Sequence, residues 1–171
     1  MITEPEKLVA SIVAATEDHR LVSRIRLQKI AYLLKQLGGP VDFEFSYHHY
    51  GPYSRELDNA VVFALAFGLI DEEQKNRMSD GASYSVFSVN ADQSIDPLDE
   101  QFQDQVRELA KSKVTVLELA ATAHWLAKVE RVDDWRSEIV KRKGRKTEDG
   151  RLDEALELLS QLHLQPAEGM A

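Results

Sequence analysis

The chain has 171 residues and a formal net charge of −8, with 43% hydrophobic and 29% charged residues. This acidic balance disfavours a general affinity for nucleic acid, because neutralising phosphates requires a surplus of lysine and arginine. The absence of cysteine excludes disulfides, thiolate nucleophiles and Cys-ligated metal centres.

Two helices are predicted at the start of the chain. Pro5 suits a first helical turn, and apolar residues then recur at helical spacing to about Thr16. Residues 18–20 are expected to connect this helix to a second one, which Ser23 can cap and which residues 38–40, Gly-Gly-Pro, should end. The apolar face of the second helix consists of Leu27, Ile30, Ala31, Leu34 and Leu37.

A strand is predicted over residues 41–47, where apolar and polar residues alternate strictly. Gly51 and Pro52 should end it, since proline cannot donate a hydrogen bond to a strand ladder. Ser54 can cap a third helix. The apolar run over residues 60–70 is expected to be a buried helix that leads into a strand, because it is too short to span a bilayer.

A hairpin with a long loop is predicted over residues 69–90. Residues 76–81 are rich in turn formers, and residues 84–89 are rich in β-formers. Residues 91–98 are polar and turn-prone, and the chain after them has a helical pattern throughout.

Three helices are recognisable in the second half, two from their end signals and one from its apolar stripe. Thr115 and Glu118 have the spacing of a capping box, for a helix that runs to about Lys128. Asp133 or Asp134 is expected to cap the next helix, which should end at a glycine after a basic run. The last helix has a strong apolar stripe, made of Leu152, Ala155, Leu156, Leu159 and Leu162.

The predicted fold is α+β and mainly α. A winged-helix-like small β-sheet, made of a strand and a hairpin, lies in the first half, and the second half is helical. Residues 1–92 should form the α+β region, residues 93–165 a helical region packed on it, and residues 166–171 a flexible tail.

The sequence predicts no catalytic, cofactor-binding or metal-binding residues. Glycine-rich phosphate loops and the serine elbow are absent. His48 and His49 are neighbours in an extended segment, so their rings should point to opposite faces and not share one metal. His124 is expected to be a partly buried structural histidine on a helix.

Residues 141–146 form the one concentrated basic run in the sequence. Such a run is suited to contact a phosphate backbone or an acidic protein surface. Its place at the C-terminus of a helix is also favoured by the helix dipole, without any partner. Both interpretations stay open at this stage.

Residues 26–34, RLQKIAYLL, and residues 43–57, FEFSYHHYGPYSREL, resemble a known family. They are similar to the Panacea antitoxin-type domain and its YwgA-like relatives, in which a Leu-Gln-Lys-[Leu/Ile]-x-Tyr helix precedes an aromatic strand that ends in Tyr-Gly-Pro. The resemblance implies a module that neutralises a toxin by direct binding and has no reaction of its own. The matching positions expected to be mostly structural are Leu27, Gln28, Lys29, Tyr32, Gly51, Pro52 and Leu57, and Tyr50 also matches the motif.

We therefore expect a cytoplasmic, non-enzymatic protein-binding module, antitoxin-like or chaperone-like. Its start lacks the basic and apolar regions of a signal peptide. The partner is expected to be another protein, with a toxin from an adjacent gene as one candidate, and the last helix also suits a homodimer. No membrane partner is expected. The predicted partner-binding residues, around the Gly-Pro bend, are His49, Tyr50, Tyr53 and Arg55.

Two alternative functions remain open. A winged-helix-like regulator of DNA fits the predicted order of helices and hairpin, but residues 55–59 and residues 71–73 would bring carboxylates toward phosphates. An enzyme of unrecognised type is the other alternative.

Overall fold

A computed structural model describes residues 4–90 and 92–168. Over these residues the fold is mainly α with two small antiparallel sheets, which confirms the predicted class. The first half contains α1 (Pro5–Ala14), β1 (Arg20–Val22), α2 (Arg24–Gln36), β2 (Ser46–His48), β3 (Gly51–Tyr53), α3 (Arg55–Ala66), β4 (Ile70–Asn76) and β5 (Ser83–Val89). The second half contains α4 (Glu100–Lys111), α5 (Val114–His124), a π-helical segment (Trp125–Val129), α6 (Trp135–Lys143), a 3-10 turn (Gly144–Thr147) and α7 (Arg151–Gln161).

The larger sheet has the strand order β1-β5-β4 and is antiparallel. The predicted β4–β5 hairpin is confirmed, but the strand that pairs with it was missed. Residues 18–20 were expected to be a connection only, whereas β1 begins at Arg20 and pairs with residues 86–88 of β5. Three residues are too few to show an alternating pattern, so the sequence carried no signal for this strand.

The strand predicted over residues 41–47 is wrong in extent. Val41 and Phe43 are buried, as the alternation indicated, but the ladder begins only at Ser46. The strand ends at His48, before Gly51 and Pro52, which were expected to end it and instead form β3, in which Pro52 pairs with Tyr47. A two-stranded hairpin has a free edge on each strand, and proline is tolerated there.

The predicted helix starts depend on local capping and are largely confirmed. Ser23 accepts a hydrogen bond from the first turn of α2, Ser54 does so for α3, and Asp134 does so for α6. The capping box of Thr115 and Glu118 is wrong. Helix α5 begins at Val114, two residues earlier than a Thr115 cap would allow, and has no side-chain cap, while the carboxylate of Glu118 turns into the interior.

Helix α5 lies at the centre of the core. Its nine consecutive residues from Val116 to His124 are all buried. Side chains from α1, α2, α3 and β5 belong to the same hydrophobic cluster as those from α4, α5, α6 and α7. Among the described residues, no helix combines the length and hydrophobicity needed to cross a lipid bilayer.

The end of α5 continues as a π-helical segment. Its last turn is closed by a bond from the backbone N–H of Glu130 to the carbonyl of Trp125, 3.0 Å long. Of the predicted tail, residues 169–171 lie outside the described residues. Ahead of them, the indole Nε1 of Trp135 donates to the carbonyl of Ala167 at 3.1 Å.

The β2–β3 hairpin packs directly on α5 at Gly51, and this contact predicts a large effect of Gly51→Ala. Gly51 has a φ of +89°, and an added Cβ would lie 2.5 Å from the Oγ1 of Thr122. Gly38→Ala is a matched control, since Gly38 has a φ of +84° and nothing within 4 Å of an added Cβ. We expect about 1 kcal/mol of destabilisation for Gly38→Ala, and a further penalty of about 1–3 kcal/mol for Gly51→Ala.

Urea unfolding of both variants measures this difference. The double variant Gly51→Ala with Thr122→Ala should recover most of the excess, because it removes the atom that the new methyl group meets. Equal losses for the two glycine variants would contradict the packing of the hairpin on α5.

Candidate functional site

The candidate site is the β2–β3 hairpin together with the side chains of α2 and α5 that hold it. Gln28 of α2 makes three hydrogen bonds to the residues that follow the hairpin. Its Nε2 donates to the carbonyl of Ser54 at 2.9 Å and to Asp58 Oδ1 at 3.0 Å, and its Oε1 accepts from the backbone N–H of Ser54 at 2.8 Å. One buried amide thus satisfies both backbone groups of the residue that caps α3.

Lys29 also belongs to this buried framework. Its side chain is buried, and its Nζ donates to the carbonyl of Pro52 at 2.6 Å. Burial lowers the pKa of Lys29 to about 7, and the negative charge of Glu118 opposes part of this effect. A lysine with such a pKa is a candidate proton donor or acceptor in many sites. Lys29, however, does not line the groove that is described below, nor two smaller ones.

Tyr32 connects α2 to the end of α5. Its hydroxyl lies 2.8 Å from Nδ1 of His124, and its ring packs edge-on against Phe45. Burial lowers the pKa of His124 to about 4 and raises the pKa of Tyr32. His124 is therefore neutral at physiological pH and serves as a hydrogen-bonding partner inside the core.

The basic run is partly internal, which the sequence did not show. Lys143 is buried and pairs with the buried Glu118 at 2.8 Å, while its Nζ also donates to the carbonyl of His49 at 3.0 Å. Lys146 pairs with the same carboxylate at 3.0 Å and lies over the ring of Tyr50. A buried carboxylate needs such compensation. Lys143 is therefore held in the interior at the hairpin turn, whereas the side chain of Lys146 remains 41% exposed.

Three of the four predicted partner-binding residues are exposed, and the fourth is half-buried. His49 and Tyr50 are exposed at the hairpin turn, beside Lys143 and Lys146. Tyr53 is half-buried, and its hydroxyl donates to Asp58 Oδ2 at 2.5 Å. Arg55 is exposed at the first position of α3. These positions remain predictions as binding residues.

Helix α3 has an exposed apolar face, which was not predicted. Val62, Phe63 and Phe67 are 58%, 54% and 60% exposed, and the two phenyl rings stack with centroids 6.2 Å apart. The apolar run over residues 60–70 was expected to be buried, and this expectation is wrong for its outer half. The signal was present, since residues 59, 63 and 67 follow helical spacing away from the core positions. The exposed residues on this face are Arg55, Glu56, Asn59, Val62, Phe63, Ala66 and Phe67.

A groove with a volume of about 1270 Å³ lies between the β4–β5 hairpin and the start of α2. Of the four predicted partner-binding residues, Tyr50 alone lines it. In residues 4–90 and 92–168, no three histidine, aspartate or glutamate side chains are close enough together to hold a metal ion.

Gln28→Ala should destabilise the protein more than an exposed glutamine does. It would leave the buried backbone N–H of Ser54 without a partner, which costs about 1–3 kcal/mol. The C=O of Ser54 would keep its bond from the N–H of Asp58, at 3.3 Å. Gln161→Ala, at an exposed position of α7, is the matched control and should stay within about 0.5 kcal/mol of wild type. Urea unfolding measures both. A small effect of Gln28→Ala would show that this bond does not hold the hairpin.

The buried Lys29 predicts a pH-dependent stability. Because its folded pKa is below its unfolded value, the unfolded chain binds more protons between about pH 7 and 10, and stability rises with pH. Relative to Lys29→Met, wild type should therefore gain stability from pH 7 to pH 9, by at most about 1.4 kcal/mol per pH unit. Lys141→Met, on the exposed surface of α6, controls for the lost charge. A constant difference between wild type and Lys29→Met would contradict the depressed pKa.

Comparison with known proteins gives one partial similarity. The chain is 27% identical over 77 residues to the uncharacterized protein YwgA of Bacillus subtilis (strain 168). The matched stretch covers 45% of this chain and 45% of that protein, so the chain aligns with less than half of its relative's length. No protein-family model matches the chain. The similarity supports a YwgA-like relationship.

Proposed function

We propose that the chain is a non-enzymatic protein-binding module, antitoxin-like or chaperone-like, that contacts its partner through the exposed face of α3. The observation that carries this proposal is the set of three large apolar side chains on that face, each more than half exposed. Grouped apolar exposure rimmed by polar residues is typical of protein interaction surfaces.

The composition of the face matches that of an interface centre with its rim. Phe63 and Phe67 form a stacked pair next to Val62, while Glu56 and Asn59 lie one turn or more toward the helix start. Aromatic residues supply much of the binding energy at interface centres, and polar residues surround them. Burial of these side chains in a complex would remove apolar surface that the isolated chain exposes to water.

Hydrogen bonds at the start of α3 also fix the position of this face. Ser54 caps α3, Gln28 binds the backbone of Ser54, and Asp58 accepts hydrogen bonds from both Gln28 and Tyr53. A preorganised helix loses little conformational freedom on binding, which favours affinity. The motif residues of α2 would therefore serve binding indirectly, by holding the helix that makes contact.

The nature of the partner is proposed from the resemblance of residues 26–34 and 43–57 to Panacea antitoxin-type domains. That resemblance supports a toxin, encoded by an adjacent gene, as the bound protein. The similarity to YwgA is compatible with it and adds no activity, since that protein is uncharacterized.

A DNA-binding function is the second candidate, and the order of elements favours it. The order α1-β1-α2-α3-β4-β5, with the sheet order β1-β5-β4, resembles a winged helix in which α3 would enter the major groove. The outer face of α3 argues against this use, because it offers Glu56 and two phenylalanines where phosphate-contacting cations are needed. We therefore favour protein contact.

Phe63→Asp should abolish binding to the product of the adjacent gene in a co-expression pull-down. Placing a charge at the centre of the face should cost about 2 kcal/mol or more of binding free energy. Val140→Asp is the matched control, since Val140 is 48% exposed on α6. Tyr50→Ala and Arg55→Glu test the hairpin corner in the same assay, and we expect weaker binding for both.

Other outcomes would contradict the proposal. Equal binding by wild type and Phe63→Asp would show that the face of α3 is not the interface. A dimeric mass by light scattering that Phe63→Asp converts to a monomer would assign the face to self-association. Salt-dependent binding of duplex DNA, weakened by Arg145→Glu, would favour the regulator.

A further inference from the structure

We propose that the groove beside the β4–β5 hairpin binds an extended, acidic polypeptide segment as an added β-strand. The inference rests on the proposed function in taking a protein as the partner, but it concerns a surface separate from the face of α3. The groove is lined by residues of β1, the start of α2, the hairpin, Tyr50 and Val114.

The central strand of the sheet is only partly paired on its groove side. β4 pairs with all seven residues of β5, from Ser83 to Val89, whereas β1 pairs only with residues 86–88. Beyond β1, the N–H of Ser23 donates to the carbonyl of Ser85 at 2.8 Å, and there the chain turns into α2. One edge of β5 is therefore open near its start, in the wall of the groove.

The direction of the unpaired backbone groups follows from the bonds around them. The N–H of Arg77 donates to the carbonyl of Ala82, on the β4 side, while the carbonyl of Ser85 accepts on the β1 side. Antiparallel strands alternate the direction of their hydrogen bonds from residue to residue. The N–H and C=O of Ser83 therefore point into the groove, where no strand of the described residues pairs with them. Such an edge is a template for an added strand.

The charge of the lining favours an acidic ligand. In a chain of net charge −8, five cations and one carboxylate line the groove. Arg24, Lys75 and Arg77 pair with carboxylates of β4 and its turn, whereas Arg20 and Arg26 pair with no carboxylate of the described residues and are the cations left for a ligand. Arg26 donates to the carbonyls of Val22 and Ser112, so it pairs with no carboxylate, and its Nε is buried without a hydrogen-bond partner among the described atoms. The charged lining residues are Arg20, Arg24, Arg26, Lys75, Arg77 and Asp18.

The groove also offers apolar contacts to alternate side chains of a strand. Val22, Tyr50 and Met78 line it and are 41%, 51% and 103% exposed. Successive side chains of a strand point to opposite sides, so a segment with alternating acidic and apolar residues fits both kinds of lining. Nucleic acid fits less well, because a phosphodiester backbone has no N–H that could pair with the C=O of Ser83.

Fluorescence anisotropy with a short labelled peptide of alternating glutamate and valine tests the proposal. We expect this peptide to bind about ten-fold more tightly than a lysine–valine peptide, and to weaken as salt is added. The same glutamate–valine peptide with alternate backbone nitrogens methylated should not bind, since it cannot complete a ladder. A single-stranded oligonucleotide of equal charge is the competing ligand class.

Variants locate the site. Arg20→Glu should weaken peptide binding about five-fold or more, whereas Arg136→Glu, an exposed arginine of α6 outside the groove lining, should change it less than about two-fold. Ser83→Pro removes the N–H that points into the groove and should abolish binding, while Ser83→Ala keeps it.

Several results would overturn the inference. These are no binding of the glutamate–valine peptide, equal binding of the lysine–valine or methylated peptide, and tighter binding of the oligonucleotide. Phe63→Asp should leave peptide binding unchanged, so a failure of this proposal and a failure of the α3 interface are distinguishable.

Discussion

The buried amide of Gln28 is the interaction on which the candidate site depends. It bonds to both backbone groups of Ser54, the residue at which β3 ends and α3 is capped. A single side chain of α2 therefore fixes the β2–β3 hairpin and the start of α3 in one geometry. Removing the amide would leave the buried N–H of Ser54 without a partner, which is more costly than losing an exposed hydrogen bond.

Around this amide, the interior contains several buried ionisable groups, of which Lys29 and Lys143 bind carbonyls of the hairpin. Lys29, Glu118, Lys143 and His124 are all buried, and each has a polar partner within hydrogen-bonding distance. Buried ion pairs add little net stability, because desolvation offsets most of their attraction. They do specify geometry, since wrongly placed charges in the interior are very unfavourable. The interior thus favours one position of the hairpin against α5 over near alternatives.

Much of the fold could be predicted from the sequence because its signals are local. Ser54 was correctly identified as a cap, and Asp134 was one of the two residues proposed to cap α6, since a cap and its helix are neighbours in the chain. The ion pair of Glu118 with Lys143 joins residues 25 positions apart, and local spacing instead suggested a capping role for Glu118. Strand β1 and the exposed face of α3 were also missed. Strand β1 depends on which elements pack together, which its three residues do not show, whereas the exposed face of α3 was indicated by helical spacing that the prediction did not use.

The π-helical segment that follows α5 has a consequence for how relatives of this chain are compared. A π turn accommodates one residue more than an α turn of the same length. Here the extra residue lets the indole of Trp125 donate to Glu130, which also binds Arg142. A homologue one residue shorter at this point can complete an ordinary helix with the same ends. An alignment with such a homologue should therefore place its single-residue gap between His124 and Glu130. That gap would mark loss of the tryptophan–glutamate contact.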